Sequence, residues 1–432
     1  MKNTLIDEFG VEYDISGKKI IRCSNLQLEH YTVKNGVEII GEYAFEDANV
    51  QSIYLPDSVK EIGNCAFYDC DKLKEISWSD SLVKIGDGAF FNCESLLSVD
   101  IPASVSEIGD FVFHGCKSLT DIYIPSSVSK IGCGLFEECP ALKSVEVDEK
   151  NRFYDSRDNC NAIIDTRNNK LISGVDTSVI PDSVTSIGKL AFRFCRNMKK
   201  IDIPLFVVDI ESHAFLGCRN LSTIFLPDTV TSIRSGMFYE SGITCIDIPT
   251  SVTIIERDVF RYCIHLVSVN IPDSVTEIGI AAFYYCESLK NLYIPDSVTT
   301  IRESAFGKCS NLENIRLPNS LSRISRTAFF ECESLKSIQL PDKIDEIGDH
   351  AFFHCRSLTK VDIPASVTKI GERAFEECSG LTIIHIPASI NELGPGVFDG
   401  CDNLKCIYIP KGSKKKFAGL LEEQWRSILV EK

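Results

Sequence analysis

The stretch that decides the fold runs from Leu96 to Cys116 and reads LLSVDIPASVSEIGDFVFHGC. Val99-Asp100-Ile101 alternates apolar, polar, apolar, as a half-buried strand does. Pro102 has no N–H to donate to a ladder and ends that strand, and the Pro-x-Ser that follows turns the chain. Ile108-Gly109 predicts a second corner, with the glycine supplying a backbone angle that other residues resist. Val112, Phe113 and Cys116 then return to the core before Leu119 opens the next strand.

The same unit recurs on both sides of this stretch. Its anchor phenylalanines are Phe45, Phe67, Phe90, Phe113 and Phe136, then Phe192, Phe215, Phe238, Phe260, Phe283, Phe306, Phe329, Phe352, Phe375 and Phe398, mostly 23 residues apart. One such coil cannot bury its own apolar side, whereas stacked copies bury each other's. The pattern therefore predicts a right-handed leucine-rich repeat solenoid of α/β type. It would be a horseshoe of about 16 coils with a parallel concave sheet and little helix. Ile, Val and Leu form ladders behind the strands, and the anchor rings form a spine on the outer side. The repeat region spans residues 36–410.

Thirteen of the nineteen cysteines stand three residues after an anchor ring, and Ala48 and Ser241 fill the same slot elsewhere. The slot asks for a small buried side chain, which a free thiol supplies. No Cys-x-x-Cys pair suggests zinc. His350, His354 and Cys355 invite a metal reading, but both histidines occupy variable slots and no third ligand recurs nearby. Gly132-Cys133-Gly134 lacks the third glycine of a dinucleotide loop. Glu137-Glu138 and Glu376-Glu377 read as solvated surface. No nucleophile–base constellation stands out, so neither enzyme activity, cofactor nor metal is expected.

Phe136 to Phe192 is 56 residues, and the excess holds the stretch 147–179. Within it, apolar pairs flank Arg167-Asn168-Asn169, a tight-hairpin signature. The N-terminus repeats the device: Asp14 matches Asp165, and Ile20-Ile21 match Leu171-Ile172. Residues 1–35 are thus expected to form a capping hairpin over the first strand edge. The internal copy has no evident edge to cover, leaving a projecting element or a scar of duplication. Residues 411–432 predict a capping helix, with Ser413 as N-cap and Phe417, Leu420, Leu421, Trp425, Ile428 and Leu429 on one face.

The net charge of −16 disfavours nucleic acid, whose phosphates need clustered cations, and also an anionic membrane surface. No stretch approaches the length of a membrane span, so no membrane insertion is expected. Met1 to Glu8 carries acids where a signal peptide would carry its apolar run. The location is then the cytoplasm, or the cell surface if a leader is missing from this chain.

What varies from coil to coil is the residue between the two strand apolars. The stripe reads aromatic among acidic, and its centre supplies the candidate contact residues Asp100, Tyr123, Glu146, Asp202, Phe225, Asp247 and Tyr293. Rings would anchor a partner and carboxylates would select it, favouring a basic or polar protein.

Ile271 to Val275 (IPDSV), Ile278-Gly279, Ala282-Phe283 and Cys286 to Leu289 (CESL) carry a resemblance to the BspA-like, or treponemal-type, leucine-rich repeat family. That resemblance implies a binding protein, often a surface-exposed adhesin or host-protein binder of bacteria and mucosal protists. It also implies that hairpin insertions are common. Two rival classes stay open: an intracellular scaffold or regulatory module, and a glycan binder using Tyr123, Phe225 and Tyr293 as stacking platforms. A monomer is expected.

Overall fold

The computed structural model describes residues 4–432 as a β-solenoid of about 18 turns. Helix amounts to 4% of the chain. The chain divides into two compact units, residues 1–220 and 221–432. Both are built the same way.

In each unit a coil contributes two strands rather than one. The expected face strand appears, for example as Asp121–Ile124, paired in parallel with Val99–Asp100 before it and Ser144–Val147 after it. A second sheet forms from two-residue strands at the Lys-Ile and Glu-Ile pairs that precede the glycine. Lys84–Ile85, Glu107–Ile108 and Lys130–Ile131 pair in parallel in unit one, and Glu346–Ile347 with Lys369–Ile370 in unit two. The predicted corner at Ile108-Gly109 is therefore the end of a strand.

Gly109 does not serve as expected. Its backbone is not left-handed; instead a Cβ there would lie 2.4 Å from Asp87 Oδ1 and 2.6 Å from the Asp87 backbone N. The small residue is needed because the preceding coil packs against it. The left-handed angles fall two residues before and two residues after the anchor ring, in every one of the fifteen coils. Most occupants are not glycine: Cys65 and Asp69, Thr327 and Glu331, His350 and His354. Each such residue costs on the order of 1 kcal/mol. The return is a third ladder. The amides of Cys65, Phe67 and Asp69 all donate to carbonyls of the next coil, at 2.7, 2.8 and 2.9 Å, and those of Thr327, Phe329 and Glu331 do the same.

The anchor rings are buried and nearly parallel, with centroids 5.2 Å apart at Phe45–Phe67 and 5.1 Å at Phe260–Phe283. The cysteine slot holds more than a small apolar group. Cys116 Sγ donates to the carbonyl of Phe90 at 3.3 Å, and Cys309 Sγ to that of Phe283 at 3.2 Å, each reaching back to the preceding coil's anchor. All nineteen thiols are free. Burial pushes the ladder thiols up: Cys139, Cys263, Cys309 and Cys401 to about 12, and Cys93, Cys116, Cys286, Cys332 and Cys355 well above the ordinary value. A serine ladder runs beside it. In six coils the hydroxyl after Pro-x donates to a carbonyl of the preceding coil, as Ser127 does to Val105 at 2.7 Å and Ser274 to Val252 at 2.7 Å, whereas Ser297 and Ser366 in the same slot make no such bond.

At the N-terminus, Thr4–Ile6, Val11–Asp14 and Lys19–Cys23 form an antiparallel trio, and Lys19–Cys23 then pairs in parallel with Ile39–Ile40. The Asp7 carboxylate holds this trio, accepting from the hydroxyls of Tyr31 (2.6 Å) and Tyr13 (3.0 Å) and from two backbone amides. Residues 154–174 rebuild the same trio as Tyr154–Asp155, Ala162–Asp165 and Lys170–Gly174, including a register shift at the corresponding point of the middle strand. Contrary to the reading that this copy has no edge to cover, it closes two of them. Asn161 Oδ1 accepts from the Val145 amide and Ser156 Oγ from that of Val147, on the last face strand. Tyr154 hydroxyl accepts from Ile131 of the second sheet at 3.1 Å. Both sheets end there and start again beyond it.

The C-terminal helix is shorter than expected. It spans Lys414–Leu420 and stops because Leu421 and Glu422 are extended. Ser413 makes no side-chain cap; its hydroxyl turns back to the Pro410 carbonyl. A 3-10 turn follows at Glu423–Ile428, with Trp425 edge-on to Phe398 at 6.0 Å. Leu429–Glu431 then joins the face sheet beside Cys406–Ile409.

Candidate binding surface

Strand alternation puts one side chain per coil on the outside of the face sheet, because its two neighbours are buried behind it. In unit one the parallel register aligns Asp100, Tyr123 and Glu146 directly across adjacent strands. Tyr123 is 45% exposed. Its phenol is held above the usual range by partial desolvation and by a hydrogen bond to the Asp148 carboxylate. Asp148 is lowered in turn, mainly by the amide of Lys150.

The internal trio gives this cluster a wall. The loop from Val147 to Asn159 stands beside Tyr123 and Glu146 and encloses a cleft of about 600 Å³. Asp148, Glu149, Asp155 and Asp158 line it, with Lys150 and Arg157. Arg157 is already committed to Asp155 at 2.8 Å and to Asn169 at 3.1 Å. The cleft is therefore an open carboxylate-rich space with one tyrosine ring on its side.

The other candidate residues are placed differently. Asp202 lies on Lys200–Asp202 and pairs with Lys200 at 3.0 Å. In unit two, Phe225 is 66% exposed on Thr223–Phe225. Asp247 stands opposite Asn270 in register, apart from any other acid of the stripe. Tyr293 is covered by Arg316, whose guanidinium sits 4.8 Å from the ring while pairing with Asp296 at 2.9 Å. Further on, Asp362, His385 and Tyr408 align, with the His385 ring stacked on Tyr408 at 4.8 Å. The structure thus joins three of the seven candidates into one cluster and leaves four as separate features.

Two features were not anticipated. Val179, in Val179-Ile180-Pro181, occupies the stripe slot of the coil that contains the trio and is exposed. Its sequence signal is the Pro181 that follows, one residue beyond the next apolar. The expectation that Glu137 is solvated surface is also overturned. Glu137 is 2% exposed, pairs with Arg193 at 2.8 Å and lies 3.1 Å from His114. It stands one residue after the anchor Phe136, in the row beside the spine, and links His114 of the coil before to Arg193 beyond the interruption.

The arrangement offers rings and carboxylates on a stiff lattice, with no acid–base pair poised around a nucleophile among the residues of the cluster. A family model described as the BspA type leucine rich repeat region matches residues 23–160, 185–313 and 300–418. A leucine-rich repeat protein from Bacteroides ovatus is 25% identical, with a TM-score of 0.55, covering 100% of this chain and 98% of that one. A leucine-rich repeat protein from Eubacterium ventriosum is 22% identical and shares the fold, with a TM-score of 0.61 and coverage of 81% and 92%. No curated protein matches.

Proposed function

The chain belongs to the BspA-type leucine-rich repeat family, and on that premise we propose that it is a non-enzymatic scaffold that binds a protein through the outer side of its face strands. Cell-surface adhesion or host-protein contact is the role we assign to that surface. The observation that carries the reading is the aligned row Asp100, Tyr123 and Glu146 beside the cleft walled by residues 147–159. An exposed ring flanked by carboxylates on a rigid lattice is suited to anchor one apolar group and to orient cations around it. Phe225 adds a second anchor in unit two.

A display of short peptides from secreted and surface proteins, probed with the full chain, tests this. Peptides rich in Lys and Arg around an apolar residue should be selected. Tyr123→Ala should weaken them by about 10-fold or more. Equal capture by Tyr123→Ala and Phe225→Ala chains would count against the strand face.

A further inference from the structure

One turn of the solenoid departs from all its neighbours without changing its backbone. In the coil before it the turn reads Pro181-Asp182-Ser183-Val184-Thr185; here it reads Pro204-Leu205-Phe206-Val207-Val208. The backbone is the ordinary one. Val207 N donates to Pro204 O at 3.1 Å as Val105 N does to Pro102 O at 3.0 Å, and Val208 N reaches Thr185 O at 2.9 Å. Only the side chains differ. Phe206 occupies the slot in which Ser104, Ser127, Ser251, Ser274, Ser320 and Ser389 donate to the preceding coil. A ring cannot make that bond. Leu205 is 66% exposed, Phe206 68% and Val208 49%. The position therefore gives up a hydrogen bond the repeat makes elsewhere and sets three apolar side chains in water, which a stacking role does not require.

Carboxylates border the patch: Asp182 stands one coil before Leu205, and Asp202, in an exposed pair with Lys200, precedes it on its own coil. A second copy of this chain would bring the same carboxylates and another net charge of −16 against it. An anionic lipid surface would meet the same repulsion. We propose that the turn Pro204–Val208 is a docking site for a basic segment of a partner protein, which buries Phe206 and Leu205 and sets its cations against Asp182 and Asp202. The site lies on the turn edge and shares only Asp202 with the strand face.

The repeat supplies its own control. Phe206→Ser with Val208→Thr installs residues that the repeat uses at these slots and leaves the charge unchanged, so the full chain should melt no lower than the parent. The probes are two labelled peptides of about 12 residues, one alternating Lys and Leu and the other Glu and Leu, followed by fluorescence anisotropy at about 0.15 M salt. The parent should bind the Lys–Leu peptide and not the Glu–Leu peptide. Measured in a Tyr123→Ala, Phe225→Ala background, which takes the strand face out of the assay, the double variant should still bind it at least about 10-fold more weakly than the chain that keeps Phe206 and Val208. Equal binding by parent and double variant would overturn the proposal. So would sedimentation showing a parent dimer that the variant loses, which would give the patch to a second copy. Loss of binding in Tyr123→Ala alone would place the peptide on the strand face instead.

Discussion

Raising the pH should dismantle this solenoid through its cysteine ladder. In unit two, Cys263, Cys286, Cys309, Cys332, Cys355, Cys378 and Cys401 are buried as neutral thiols, with burial pushing Cys263, Cys309 and Cys401 up to about 12 and the other four well above the ordinary value. The unfolded chain ionises near the ordinary thiol value of 9.0. Between these limits the unfolded state binds fewer protons than the folded one, so stability falls as pH rises through 9 and keeps falling towards 12. At pH 10 each thiol forfeits about 1.4 kcal/mol, and seven of them about 10 kcal/mol, comparable with the whole stability of many domains. Over the full window Cys309 alone forfeits about 4 kcal/mol. Urea unfolding followed by circular dichroism, at pH 7, 9 and 10 under reducing conditions, reads this directly. Cys309→Ala separates thiols from tyrosines, since its total loss of stability between pH 7 and 10 should be smaller than the parent's by about 1.4 kcal/mol. Stability that stays level from pH 8 to 10, or a Cys309→Ala loss equal to the parent's, would refute the reasoning.

Two further outcomes follow from the stacking geometry. Cys309→Ser keeps a donor within reach of the Phe283 carbonyl, so it should cost about 0.5–1 kcal/mol less than Cys309→Ala in urea titration. Gly109→Ala drives a Cβ to 2.6 Å from the Asp87 backbone N and should cost about 1–3 kcal/mol. Gly17→Ala, at φ 71° with nothing within 4 Å, should cost only about 1 kcal/mol, and a reversed order in thermal melts would contradict the close-packing account.

The repeat made the solenoid readable because its period, its proline and its anchor ring are each tied to one physical task. The second sheet was hidden, since a strand of only Glu107–Ile108 leaves no alternation to detect. The left-handed turns were hidden for a different reason. Residues such as Thr327 and Tyr285 accept that angle because three inter-coil bonds hold it, and nothing in their side chains announces it. At the C-terminus, Phe417 to Leu429 is spaced like one helix, yet only its first turns are helical and Leu429 buries itself as a strand residue. Of the candidate surface, the position of the stripe on the strands was legible from its variability. The cleft was not, because it needs the loop 147–159 to return beside Tyr123. Phe206 could have been read as a break in Pro-x-Ser, the pattern already recognised as the turn.

The internal trio has a mechanical consequence. Where the sheets pause elsewhere, as between Thr300–Ile301 and Arg323–Ile324, the amides of Ser304, Phe306 and Lys308 still reach the next coil. At residues 147–154 both sheets stop, and the junction is held largely by side chains: those of Asn151, Tyr154, Ser156 and Asn161, and the Glu137–Arg193 and Glu138–Arg196 ion pairs. A chain pulled from its ends, as any tether between two anchored bodies is, should therefore yield first at this seam. Coils on one side could unravel while those beyond it stay intact, so the seam acts as a fuse rather than a flaw.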